Sequence, residues 1–179
     1  KFQSTRNASK NYHGTEKFYG YIDSIKITKK ILYNSTFTVP ESKFINDYYS
    51  TISPELSNSD FTIEFWINIT SYKAWATIIT NGQQSLLNGS FYVYTGNTGS
   101  EQGRITIAFN YDGSINNPFD SNSSTVIKGN KYSGGLASET KLNLNQFYHV
   151  AIVRNDRYIN IYLDGTLDGH FRLADTVEL

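Results

Sequence analysis

Seven stretches of the 179-residue chain alternate apolar and polar residues, at 18–28, 61–69, 76–80, 91–94, 104–111, 148–154 and 158–164, each bounded by Gly, Asn, Asp or Ser. A period of two sends successive side chains to opposite faces of an extended strand. Turn-forming residues between such runs join them into antiparallel sheets. No segment keeps a 3.6-residue apolar period over a dozen positions, so long helices are excluded as the framework. The pattern predicts an all-β fold, a two-sheet antiparallel β-sandwich.

Within "DFTIEFWINIT", Phe61, Ile63, Phe65, Ile67 and Ile69 share one face, and Thr62, Glu64, Trp66 and Asn68 share the other. The first face is core, and the second meets solvent or a further layer. "FYHVAIVRNDRYINIYLDGTLDG" (147–169) reads as a β-hairpin turning at Asn155-Asp156, with Val150, Ile152, Ile159, Ile161 and Leu163 offered to the core. Its two Asp-Gly pairs, at Asp164 and Asp168, read as turns. In "YIDSIKI" alternation offers Tyr21, Ile25 and Ile27 for burial, and the Gly-, Asn- and Ser-rich stretch 112–138 reads as a long loop holding one short strand at 125–128.

A chain of this length supports one principal domain. Sixteen basic and sixteen acidic residues cancel, so the broad positive field that drives nucleic-acid binding is missing. No apolar run is long enough to cross a bilayer as a helix. With no cysteine, disulfides and thiolate metal sites are excluded, and burial and backbone pairing must hold the fold. The chain opens at Lys1 and contains no methionine, which points to a processed chain or a piece of a longer one. Five Asn-x-Ser/Thr sequons, at Asn7, Asn34, Asn68, Asn88 and Asn122, are compatible with surface exposure.

Three motifs in order, Phe61–Trp66 (F-T-I-E-F-W), Tyr148–Ala151 (Y-H-V-A) and Tyr162–Gly165 (Y-L-D-G), resemble the laminin-G-like, concanavalin-A-like lectin/glucanase jelly-roll superfamily. "GRITIAFNYDG" falls where that family places a central strand. "FYGYIDSIKITKKILYNSTFTVP" (18–40) resembles the family's closing strand, yet it comes first here. Two organisations follow: residues 1–40 are a closing-strand segment permuted into this domain, or the tail of a preceding repeat, with 41–179 the laminin-G-like sandwich. An isolated strand is marginal in water, which favours pairing within this chain.

Catalysis is the first functional class to weigh, because glycosidases of the laminarinase type resemble this jelly roll. They need paired carboxylates about 5–5.5 Å apart on one strand. That Glu-x-Asp-x-x-Glu pattern is absent, and His149, inside a strand, reads as a buried, hydrogen-bonded residue. The chain reads as no enzyme. For metal, "NYDGSINNPFD" offers Asn110, Asp112, Asn116, Asn117 and Asp120, oxygen donors of the type calcium takes. For ligand, Tyr72, Trp75, Tyr94, Tyr111 and Phe119 flank loops that hold Asn81, Gln83 and Asn117, and aromatic faces beside amides suit sugar rings.

These features, with the resemblance, imply a non-catalytic binding or adhesion module of a larger surface or virion protein, in an extracellular, cell-surface or virion-surface setting. Glycans or protein surface ligands are the implied partners, with calcium as a candidate cofactor. The rival reading is a structural repeat that packs against copies of itself or adjacent repeats.

Overall fold

The computed structural model describes residues 18–39, 60–80, 90–96, 99–110, 124–132 and 135–173. The alternating runs become strands. In chain order these are β1 (Gly20–Thr28), β2 (Phe61–Ile69), β3 (Ala76–Thr80), β4 (Ser90–Thr95), β5 (Ile105–Asn110), β6 (Ser124–Lys128), β7 (Asn130–Tyr132), β8 (Gly135–Ala137), β9 (Phe147–Asn155), β10 (Tyr158–Leu163) and β11 (Thr166–Leu173). Among the described residues the only helical element is a 3₁₀ turn at Gly99–Glu101. Two sheets form, one ordered β1-β2-β9-β10-β11-β6 and the other β3-β4-β5-β8-β7, with every ladder antiparallel.

The core lies between the sheets. Phe61, Ile63, Phe65, Ile67 and Ile69 of β2 join Val150 and Ile152 of β9, Ile159, Ile161 and Leu163 of β10, and Phe171 of β11. Phe91, Val93, Ile105, Ile107 and Leu136 meet them from the second sheet. Each large side chain sealed in this way contributes about 1.5–3 kcal/mol, enough in sum to hold a fold that has no cross-links.

The other face of β2 is not open to water. Residues 29–39 cross it, and Ile31, Tyr33 and Phe37 pack on Ala151, Val153 and Tyr162. Hydrogen bonds seat this covering segment: Leu32 N donates to Thr62 Oγ1 at 3.0 Å, Thr62 Oγ1 donates to the Lys30 carbonyl at 2.9 Å, and Phe37 N donates to the Gly165 carbonyl at 2.9 Å. β1 pairs with β2 over Gly20↔Ile69 to Thr28↔Thr62.

Four local expectations change. In β1 the register slips between Asp23 and Lys26, with Ser24 at φ 55°, so one extra residue reverses the parity. Ile22 and Ile27 therefore both reach the core, while Tyr21 and Ile25 stay exposed. The hairpin centre is Asp156-Arg157, because Asn155 pairs with Tyr158 in the register that buries Ile152 against Ile161. Asp164-Gly165 is a true two-residue turn with φ 47° and 77°, but Asp168 is a bulge residue: Ile161 pairs with Gly169 and Tyr162 with Leu167. Finally, the stretch read as loop to residue 138 contains, besides the expected short strand (β6), two more, β7 and β8. β7 and β8 are three residues each, too short to show alternation.

Candidate functional site

Strand register assembles the first candidate site, on the face of the five-stranded sheet away from the core. Phe91, Val93, Ile105 and Ile107 point inward, so Tyr92, Tyr94, Thr106 and Ala108 point outward. Tyr94 stands directly opposite Thr106, and Tyr92 opposite Ala108. Trp75 packs on this patch, its ring 5.3 Å from that of Tyr94 and tilted by 32°. Trp75 is held at φ 58°, a costly region for a bulky residue, by the bond from its N–H to the Gly96 carbonyl at 3.0 Å.

Three polar atoms here are buried with no hydrogen-bonding partner: the Tyr94 hydroxyl, Thr106 Oγ1 and Arg104 Nε. Tyr94 is only 5% exposed. Burial, and then the Glu101 carboxylate, push its phenol above the usual value, so it stays protonated and able to donate. Leaving such groups unpaired costs about 1–3 kcal/mol each, so native folds seldom do it without a use. Chemically the patch offers two hydroxyls that donate and accept, a guanidinium donor and an indole face.

Tyr72, Trp75 and Tyr94 are the sequence-nominated ligand residues that fall in the described part. Trp75 and Tyr94 are brought together. Tyr72 is tied elsewhere, its hydroxyl donating to the Leu142 carbonyl at 2.6 Å and its ring under Lys141 Nζ at 4.3 Å. Asn81, Gln83, Tyr111, Asn117 and Phe119 lie outside the described residues, as do Asp112, Asn116 and Asp120 of the calcium expectation. Asn110 ends β5. Among the described residues no three His, Asp or Glu side chains cluster to hold a metal ion. Thr106 is not among the residues the sequence points to, since only the pairing of β4 with β5 reveals its position opposite Tyr94.

A second polar cluster lies beneath the covering segment. Glu64, fully buried, has Lys26 Nζ 3.1 Å from Oε1, while Oε2 accepts from the Tyr33 hydroxyl at 2.7 Å and lies 3.6 Å from His149 Nε2. Burial pushes this carboxyl up, but His149, Tyr33 and Lys26 together outweigh it and hold it below the usual carboxylate value. His149 is also fully buried, edge-on to Trp66 and Phe37. Sealed on all sides, this acid and base secure the covering segment.

The chain is thus an all-β, two-sheet antiparallel sandwich with a polar, aromatic patch outside one sheet. A laminin G-type family model of the concanavalin A-like lectin/glucanases superfamily matches residues 43–178, and the chain belongs to that superfamily. β1 and the covering segment precede the matched range. No curated protein and no solved structure matches the chain.

Proposed function

We propose that this chain is a non-catalytic binding and adhesion module of a larger extracellular, cell-surface or virion-surface protein, recognising glycans through the outer face of the five-stranded sheet. The observation that carries this reading is the pair of unpartnered hydroxyls on the cross-strand partners Tyr94 and Thr106, beside the strained Trp75. Sugar hydroxyls complete such groups, and an indole face suits the C–H surface of a pyranose. The patch is buried and Trp75 packs on it, so ligand entry moves the Trp75 ring. Residues 18–39 complete the sandwich in this reading, as a permuted closing strand followed by a sheet cover.

A glycan array probed with the wild-type chain and with Trp75→Ala tests the proposal. Binding to at least one glycan that Trp75→Ala abolishes supports it. An empty array from folded protein overturns it, and moves the role to structural packing between copies.

A further inference from the structure

Two of the five Asn-x-Ser/Thr sequons, at Asn34 and Asn68, fall among the described residues, and the fold treats them oppositely. Asn34 lies in the covering segment. Tyr33 and Phe37, which pack on the sheet, stack their rings at 3.6 Å and 9°. The Tyr33 hydroxyl is bonded to Glu64 and the Phe37 N–H to the Gly165 carbonyl. These fixed points close a three-residue loop, Asn34-Ser35-Thr36, on the side away from the sheet. The backbone bends at Asn34 and Ser35, and all three residues are exposed. The asparagine and the threonine that completes its sequon therefore both sit in water, at the crest of the cover. Asn68 is placed differently. It lies inside β2, paired with Tyr21 of β1 on one side and Phe147 of β9 on the other, and is 8% exposed. Its backbone oxygen is 2.0 Å from where a Cβ on Gly20 would sit, so β1 rests directly on it. A sugar on the Asn68 amide would have to push the flanking strands aside.

We propose that Asn34 is an attachment site for an N-linked oligosaccharide and that Asn68 stays unmodified. The donor is an oligosaccharide carried on a lipid diphosphate, delivered by a transferase of a secretory pathway. Asn34 Nδ2 attacks the anomeric carbon of the first sugar. The new C–N bond forms as the bond from that carbon to the diphosphate oxygen breaks, one amide proton passes to a base of the transferase, and the lipid diphosphate leaves. Such transfer requires the extracellular setting proposed above, on which the site rests; it requires no glycan recognition by the chain. A bulky, hydrated group on the crest of the cover keeps partners off the outer face of the six-stranded sheet. Docking is then left to the rest of the module.

Secretion of the full chain from a eukaryotic cell line, followed by peptide mass spectrometry, tests the site. Trypsin cuts after Lys30, Lys43 and Lys73, which puts Asn34 and Asn68 on different peptides. Enzymatic release of N-linked sugar in heavy-oxygen water turns each occupied Asn into a mass-tagged Asp. The tag is expected at Asn34 and not at Asn68. Thr36→Ala, which keeps the asparagine but breaks the sequon, should lose the Asn34 tag. Asn34→Gln should leave the melting temperature of unglycosylated protein unchanged, because its side chain stands outside the fold. A bare Asn34 in secreted, folded protein overturns the proposal, as does a tag at Asn68, a tag that survives Thr36→Ala, or a fall in melting temperature for Asn34→Gln. A tagged Asn34 together with an empty glycan array supports the site and counts against recognition alone. Array binding by protein whose Asn34 is bare overturns the site and leaves recognition standing.

Discussion

The Tyr33 hydroxyl donates to Glu64 Oε2 across 2.7 Å, joining the segment that covers the six-stranded sheet to a carboxylate buried in that sheet. The bond fastens residues far apart in sequence, and a buried acid gives it weight. Burial and the adjacent Glu64 raise the Tyr33 phenol, so it remains a donor across the working pH range. Tyr33→Phe keeps the ring stacked on Phe37 at 3.6 Å but removes the donor. A loss of about 1–2 kcal/mol in urea unfolding is expected, the cost of one bond to a buried charge. No measurable change would show that the segment is held by packing alone.

Acid should loosen the fold through the same carboxylate. Because Glu64 titrates below its ordinary 4.5 in the folded chain, its stabilisation is fully present above that pH. It is lost as pH falls through the depressed native value. The melting temperature of the wild type is therefore expected to drop steeply below about pH 4.5, and Glu64→Gln to flatten that limb while lowering the plateau at pH 7. Parallel acid limbs in the two proteins would contradict the assignment.

Two glycines separate steric from conformational cost. Gly165, at φ 77°, has the Phe37 carbonyl oxygen 2.0 Å from where a Cβ would sit, whereas Gly99, at φ 63°, has open space there. Gly99→Ala is expected to cost about 1 kcal/mol, the strain of a left-handed alanine. Gly165→Ala should cost at least twice that by thermal denaturation and free the covering segment to faster amide exchange. Equal costs would mean that the covering segment adapts without loss.

At the β11 bulge, Asp168 accepts from Thr140 N at 2.9 Å and from Thr140 Oγ1 at 2.7 Å. Asp168→Ala leaves both donors without their acceptor, and chemical denaturation should register a loss of about 1–3 kcal/mol. Asp168→Asn, which keeps one acceptor oxygen, should recover part of it.

The long strands were legible because period and length agree: β2, β9 and β10 each alternate long enough for their core faces to be read directly. The superfamily was legible in three motifs on those same strands. Parity within β1 was not, since a bulge at Ser24 and Ile25 leaves no mark in an alternating string. Nor were β7 and β8, three residues each, which give Leu136 to the shared core. Trp75 and Tyr94 were nominated as aromatics beside loops. Thr106 was missed because its meaning comes from the strand opposite, and register between β4 and β5 is fixed by packing beyond either segment. Glu64 looked isolated for the same reason: Tyr33 comes from 31 residues away and His149 from another strand.

The double variant Tyr94→Phe with Thr106→Val tests the central claim most directly, through paired measurements of melting temperature and glycan binding. Groups kept unpaired for a ligand burden the free protein, so their removal should stabilise it by about 1–3 kcal/mol and abolish binding together. A variant that is less stable than the wild type, or that binds glycan as well as the wild type does, would contradict the account.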